Sequence, residues 1–116
     1  SSLESVIDTG DRIDAVVNRR LLMNLFFKNS PLHDGAVIID RERIVAARCT
    51  LPVSEAALPP QFGMRHKAAA GITEETDAKV VVVSEETGGI TFFNDGSWTH
   101  INNLNELKLL LGQALS

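Results

Sequence analysis

The 116-residue chain is long enough for one domain with a hydrophobic core and too short for two. Its net charge of -4 argues against a general nucleic-acid or anionic-membrane surface, so any bound anion must be held by a local cluster of cations. The single cysteine, Cys49, excludes a disulfide framework and a thiolate zinc site and is typical of a protein of the reducing cytosol.

The first half of the chain predicts short helices and a β-hairpin. Asn18 is placed to cap a helix whose apolar residues recur at helical spacing, and Pro31 ends that helix. The polar turn around Glu42 separates two apolar strands. In chain order, the predicted elements are a helical turn over 3–8, an extended segment over 13–17, a helix over 19–28 and strands over 37–39 and 44–49.

The second half begins with an irregular stretch over 50–63, of the kind that is often functional in small domains. The run of four valines in its first strand predicts that both faces of that strand are covered. The further predicted elements are a helix over 64–73, strands over 78–84 and 90–94, an edge strand over 98–101 and a helix that starts at Asn103. These elements predict a single α/β domain with a mixed central β-sheet flanked by helices on both sides.

A histidine and an aspartate, His33 and Asp34, stand side by side before the first buried strand. Gly35 and Ala36 follow with almost no side chain, so a ligand can approach the backbone there. An ordinary tight Asp-Gly turn explains the same residues without any function.

A basic triplet, Arg65, His66 and Lys67, opens the predicted helix over 64–73, and no acid occurs before Glu74. Cations are unfavourable at a helix N-terminus, which carries partial positive charge. Their presence is explained if a polyanion such as a triphosphate binds there, and equally by a solvated basic turn.

Carboxylates follow the valine strand directly, in the sequence from Ser84 to Glu86. Such a strand end can coordinate Mg²⁺ or Mn²⁺ through oxygen ligands, although a hairpin with solvated glutamates fits as well. The Asp-containing turn, the basic helix start and the acidic strand end are together the parts that phosphoryl transfer needs. The sequence contains no P-loop and no dinucleotide-binding fingerprint.

Three segments closely resemble the diadenylate cyclase domain family, and the similarity extends over nearly the whole chain. Its signatures are an Asp-Gly-Ala turn and an Arg-His-Arg triplet, in this order and at about this spacing. The matching segments are Leu32-His33-Asp34-Gly35-Ala36, Arg65-His66-Lys67 and Ser84-Glu85-Glu86-Thr87-Gly88. Lys67 replaces the usual second arginine and Met64 a common threonine, and the strand that leads the family's domain is not seen before Leu3.

The resemblance implies that residues 1–116 form a catalytic domain that condenses two ATP into cyclic di-AMP and two pyrophosphates. Two subunits would meet face to face, each holding one ATP, with Mg²⁺ or Mn²⁺ as the metal. Asp34 would position the nucleophile, and Arg65, His66 and Lys67 would act on the polyphosphate as catalytic and binding residues. The other implied substrate-binding residues are Gly35, Ala36, Leu51, Met64, Ser84 and Glu86, and the implied metal ligands are His33, Asp34 and Glu86.

The resemblance is to the membrane-anchored type of this family, which implies a cytoplasmic domain joined to the membrane through helices absent from this chain. No apolar run here has the length of a membrane span, and no signal peptide is recognised. No nucleic-acid partner is expected. A non-catalytic nucleotide-binding regulatory module with the same pocket is the alternative, favoured by Lys67, Met64 and the missing strand.

Overall fold

The computed structural model describes residues 2–26, 35–51, 64–83, 89–103, 105–107 and 109–110. Its elements are α1 (Ser2–Asp8), β1 (Asp11–Val16), α2 (Arg19–Phe26), β2 (Ala36–Asp40), β3 (Arg43–Cys49), α3 (Met64–Glu75), β4 (Lys79–Val83), β5 (Ile90–Asn94) and β6 (Ser97–Ile101). Residues 105–107 and 109–110 are also helical. All the predicted elements are therefore present within the described residues, with bounds that differ by a few positions.

The six strands form one sheet in the order β1-β3-β2-β4-β5-β6. All five pairings between neighbouring strands are antiparallel. The expectation of a mixed sheet is therefore wrong for the described strands. The difference arises at β2 and β4, which are antiparallel neighbours although β3 and α3 lie between them in sequence.

Helices cover both faces of the sheet, as predicted. One core cluster joins Val6 and Ile7 of α1 and Ala69 of α3 to one face. The other joins Leu25 of α2 and Leu107 of the last helical segment to the opposite face. The valine strand contributes to both clusters, with Val80 and Val82 in the first and Val81 in the second. Its apolar run is explained by burial on both sides.

Two helix starts are capped by asparagine side chains. The Asn18 side-chain oxygen accepts a hydrogen bond from the backbone N–H of Leu21 at 2.9 Å, which confirms the predicted cap of α2. The Asn103 side chain accepts in the same way from the backbone N–H of Glu106 at 3.0 Å. Both caps fix the direction in which the chain enters a helix that packs on the same face of the sheet.

The direction of α3 determines which end of the sheet lies near each end of the helix. A short connection joins α3 to the start of β4, so the helix runs back over that strand. The hydroxyl of Thr73 accepts a hydrogen bond from the backbone N–H of Gly96 at 3.0 Å, so the C-terminal half of α3 lies at the β5–β6 turn. Twelve helical residues span about 18 Å and the five of β4 about 17 Å. The first turn of α3 therefore points to the opposite end, which carries Gly35 and Val83 and which we call the Gly35 end.

Candidate active site

The predicted site residues fall into three groups. Gly35, Ala36, Leu51, His66 and Lys67 are described in full. Met64 and Arg65 are described as the first residues of α3, without their side chains. The remaining four, His33, Asp34, Ser84 and Glu86, lie outside the described residues. The structure brings the first two groups to the Gly35 end of the sheet, and the third group is close in sequence to Gly35 or to Val83.

Gly35 has a conformation and surroundings that only glycine accepts readily. Its φ angle of 107° lies in the region that side chains disfavour. A Cβ atom at this position would lie 3.0 Å from the carbonyl carbon and the Cα of Arg48. Arg48 itself has a φ of 57°, in a part of β3 where the pairing with β2 shifts register. The turn before β2 is thus seated on an irregularity of β3.

Ala36 is fully buried in the core cluster beneath α3. Its side chain packs with the sheet and the helix, so any part it has in the site comes from its small size. It pairs with Cys49 on one side and with Val82 on the other. The start of β2 is therefore held between the end of β3 and the end of β4.

The first turn of α3 separates its two described basic side chains. The His66 imidazole is only 8% exposed, and its ring lies 6.1 Å from the ring of Phe93, centroid to centroid. Lys67 is half-exposed on a different side of the helix. Lys67 is therefore accessible to an anion, whereas His66 faces the core. The role of His66 in phosphate binding stays a prediction.

Leu51 lies at the same end, directly after β3, where it is half-buried against the core cluster beneath α3. The preceding residue, Thr50, donates its backbone N–H to the hydroxyl of Thr9 at 2.8 Å. In the sequence alone, nothing relates Thr9 or Gly10 to the candidate site. Only the long-range pairing of the fold brings them there, although a threonine-glycine pair after a short helix is a signal for a tight turn.

Cys49 is buried next to this turn, and burial, with a smaller contribution from Asp11, raises the pKa of its thiol to about 11. The thiol is therefore protonated at neutral pH and is a poor metal ligand. No group of three or more His, Cys, Asp or Glu side chains within the described ranges can hold a metal. The predicted ligands His33, Asp34 and Glu86 all lie outside those ranges, and their imidazole and carboxylate donors suit Mn²⁺ or Mg²⁺.

A cleft of about 890 Å³ opens at the other end of the sheet. It is bounded by the β2–β3 turn around Arg41, by Leu3 of α1 and by Lys79 at the start of β4. Asp40 and Lys79 mark this end, which we call the Asp40 end. Gly35, Ala36, Leu51, His66 and Lys67, the predicted site residues that are described in full, do not line this cleft.

Comparison with known proteins identifies the family of this chain. The family model of the DisA bacterial checkpoint controller nucleotide-binding domain, DAC, matches residues 1–98. The cyclic di-AMP synthase CdaA of Bacillus subtilis is 48% identical over 91 residues, which cover 78% of this chain and 33% of that protein. A diadenylate cyclase of Listeria monocytogenes serotype 1/2a is 42% identical over 118 residues, covering 100% of this chain and 43% of that protein. The chain thus spans less than half the length of these curated relatives.

The fold of this chain also matches the folds of solved structures. A crystal structure of a double-cysteine mutant of DacA from Staphylococcus aureus matches with a TM-score of 0.69 and 39% identity, covering 99% of this chain and 77% of that one. A hypothetical membrane-spanning protein from Bacillus cereus matches with a TM-score of 0.65 and 39% identity, covering 89% and 51%. In the described part of this chain, no helix has the length and apolar character needed to span a membrane. From the family model and these identities, the chain belongs to the diadenylate cyclase (DAC) domain family, as its motifs indicated.

Proposed function

We propose that this chain is the catalytic domain of a diadenylate cyclase, which converts two ATP into cyclic di-AMP and two pyrophosphates. The observation that supports this most directly is the convergence of the Gly35 turn, Leu51 and the first turn of α3 at one end of the sheet. Relatives with 48% and 42% identity carry the names cyclic di-AMP synthase and diadenylate cyclase.

Chain connectivity limits where the remaining site residues can lie. Ala36 and Val82 are direct partners in neighbouring strands. Adjacent Cα atoms are about 3.8 Å apart, so Asp34 is that close to Gly35 and Ser84 that close to Val83. The two segments that we assign to nucleophile positioning and to the metal therefore start from neighbouring points at the Gly35 end.

The reaction is a double nucleophilic substitution at phosphorus. The 3′-hydroxyl oxygen of one ATP forms a bond to the α-phosphorus of the other, and the bond from that phosphorus to its bridging oxygen breaks. Pyrophosphate leaves with the electron pair, and the hydroxyl proton passes to the Asp34 carboxylate and then to water. The 3′-hydroxyl of the second nucleotide then attacks the α-phosphorus of the first in the same way, and this second substitution closes the ring.

The other proposed roles concern the charge of the polyphosphate, the adenine base and the metal. Lys67 and Arg65 offset the charge of the polyphosphate at the first turn of α3, where the free backbone N–H groups also favour anions. Leu51 provides an apolar wall for adenine. A divalent metal held by His33, Asp34 and Glu86 would neutralise phosphate charge.

The proposal extends to the location of the domain. We infer a domain that faces the cytoplasm and is joined to the membrane by helices outside this chain. The support is the matching Bacillus cereus protein, which is described as membrane-spanning. The lone thiol, Cys49, is compatible with the reducing conditions of that compartment.

The decisive experiment is an assay of purified protein for cyclic di-AMP formed from ATP with Mn²⁺ or Mg²⁺, with Asp34→Asn as the test variant. Loss of a positioned acid–base group lowers rates by about 10²–10⁴, so Asp34→Asn is expected to abolish detectable product. ATP affinity should stay within about tenfold, because Asp34 is assigned to positioning the nucleophile and the metal and not to holding adenine.

Asp40→Asn is the matched control, because Asp40 is the last residue of β2 and lies at the end of the sheet opposite to Gly35. It should leave product formation unchanged. An Asp34→Asn protein with near wild-type rates would remove Asp34 from the mechanism. A wild-type protein that binds ATP and makes no product would instead favour the regulatory module.

A further inference from the structure

A side-chain hydroxyl joins the end of α1 to the residue that follows β3. The Thr9 hydroxyl donates a hydrogen bond to the Val6 carbonyl oxygen at 2.6 Å and accepts one from the Thr50 backbone N–H at 2.8 Å. The hydroxyl therefore uses both its donor and an acceptor lone pair. It holds together two segments that are 41 residues apart in sequence.

Gly10 brings this turn into close contact with β3. A Cβ atom at position 10 would overlap the Ala47 carbonyl oxygen and would lie 2.7 Å from the Cys49 sulfur. Gly35 approaches the same stretch, since a Cβ there would lie 3.1 Å from the Cys49 carbonyl oxygen. The end of β3 is thus in close contact with both the Thr9-Gly10 turn and the Gly35 turn.

Leu51 is the first residue beyond this contact. Its side chain packs against the same core cluster as Leu3 of α1. Because the backbone of Thr50 is fixed by the Thr9 hydroxyl, the position from which Leu51 departs is fixed as well. A loop that starts from a fixed residue has fewer conformations than one that starts from a frayed strand end.

We propose that Thr9 is a positioning residue for the nucleotide site, which acts by fixing Thr50 and hence the wall formed by Leu51. The inference rests on the proposed function, because it takes Leu51 as part of the adenine-binding wall. Thr9 itself touches neither nucleotide nor metal in this proposal. Its removal should weaken recognition of the base and leave recognition of the polyphosphate unchanged.

The test compares Thr9→Val, which keeps the shape and removes the hydroxyl, with Thr9→Ser, which keeps the hydroxyl. The probes are an ATP analogue with a methylene group between its α- and β-phosphorus atoms, the matching GTP analogue, and inorganic tripolyphosphate. In Thr9→Val we expect the dissociation constant of the ATP analogue to rise about tenfold, because a hydrogen bond and the ordered wall at Leu51 are lost. The preference of the protein for the ATP analogue over the GTP analogue should decrease for the same reason. Thr9→Ser should stay within about threefold of wild type, and tripolyphosphate binding should be unaffected in both variants.

Thr76→Val is the matched control. The Thr76 hydroxyl donates to the Ile72 carbonyl oxygen at 2.8 Å and accepts from the Ala78 backbone N–H at 3.2 Å, so it makes the same pair of bonds. It does so at the Asp40 end, beside the cleft there. We expect Thr76→Val to lower the unfolding temperature as Thr9→Val does, with no change in the affinity for the ATP analogue.

Several outcomes would overturn the inference. Equal losses of ATP-analogue affinity in Thr9→Val and Thr76→Val would show an effect on stability alone. If Thr9→Val and the smaller Thr9→Ala both failed to fold, Thr9 would serve the whole fold and not the site. A wild-type protein that binds neither ATP analogue nor tripolyphosphate would contradict the proposed function itself. Normal wild-type binding with an unaltered Thr9→Val would contradict the positioning role only.

Discussion

Gly35 is the residue whose replacement best tests how the candidate site is built. In Gly35→Ala, a φ of 107° would become unfavourable, and the new methyl group would meet backbone atoms of Arg48 and Cys49, which cannot move aside as a side chain can. Strained backbone of this kind costs about 1–3 kcal/mol, so we expect unfolding free energy to fall by that amount. Product formation should fall as well, because Gly35 directly follows Asp34, the residue assigned to positioning the nucleophile. Urea unfolding and the cyclic di-AMP assay measure the two effects.

Gly96→Ala is the control for Gly35→Ala, because Gly96 also has a positive φ, of 79°. Its Cβ would meet the Glu74 side chain, which is exposed and able to move. It lies at the Asp40 end, so stability should fall with no change in the activity of the folded protein. Full activity in a folded Gly35→Ala protein would show that the Gly35 turn tolerates a side chain without harm to the site.

Single residues also show where the sequence was insufficient. The basic triplet predicts one phosphate-binding unit; in the structure His66 is buried beside Phe93 and Lys67 is half-exposed, and the phosphate-binding role of His66 is still a prediction. The buried positions of α3 are 66, 68, 69, 70, 72 and 73, which do not form a single narrow stripe along the helix. Periodicity in the sequence therefore does not assign His66 to the core. Thr9 could not be found from the sequence either, since its partner Thr50 is brought near only by the fold.

At the scale of elements, the charge of the first turn of α3 can be tested for its effect on ATP binding. It contains no acidic residue, although acids stabilise helix N-termini. If Lys67 offsets the charge of a bound triphosphate, Lys67→Arg should keep or improve ATP affinity. Lys67→Glu should weaken it by at least about tenfold, because it replaces an attraction with a repulsion. Calorimetric titration with ATP at low ionic strength measures both, since salt screens such interactions.

Lys79→Glu is the matched charge reversal at the Asp40 end. Lys79 is half-buried at the start of β4, and its ammonium group donates a hydrogen bond to the Asp77 carbonyl oxygen at 2.8 Å. Lys79→Glu changes the net charge of the protein by the same amount as Lys67→Glu and should leave ATP affinity nearly unchanged. Equal affinities for wild type, Lys67→Arg and Lys67→Glu would identify Lys67 as an ordinary solvated lysine.

The elements themselves were predictable, and the way they pair was less so. Periodicity and caps located the helices and strands, as the Asn18 cap and the two-sided burial of Val80 and Val81 show. The direction of β4 relative to β2 was not predictable, because periodicity carries no information about strand direction. It depends on how α3 crosses the sheet, and that crossing makes β2 and β4 antiparallel.

At the scale of the whole molecule, the proposed chemistry needs two copies of this chain. The sequence contains one Asp-Gly-Ala turn and one basic helix start, and the described residues of both lie at a single end of the sheet. The proposed reaction consumes two ATP, so we expect the second to be presented by another subunit. A two-fold axis lets each 3′-hydroxyl face the other α-phosphate in an equivalent way. Bringing the two reactants together provides much of the rate enhancement.

The strength of this pairing can be estimated from the described surface. Its exposed large apolar side chains are Val16, Trp98 and Leu109, and Val16 lies at the Asp40 end. Val16 is therefore remote from the Gly35 end, whereas stable dimers bury large and mostly apolar areas. We therefore expect a weak dimer that forms and separates within the range of ordinary assay concentrations.

Specific activity should therefore increase with protein concentration from nanomolar to micromolar and level off once the dimer is fully formed. Below the dissociation constant of the dimer, the rate should rise with about the square of the concentration, since only paired subunits react. Excess Asp34→Asn protein should lower the activity of wild-type subunits, because mixed pairs hold two ATP but carry one competent nucleophile site. Asp40→Asn protein, added in the same excess, should not. Constant specific activity across this range, from a protein that light scattering shows to be a monomer, would contradict catalysis between two subunits.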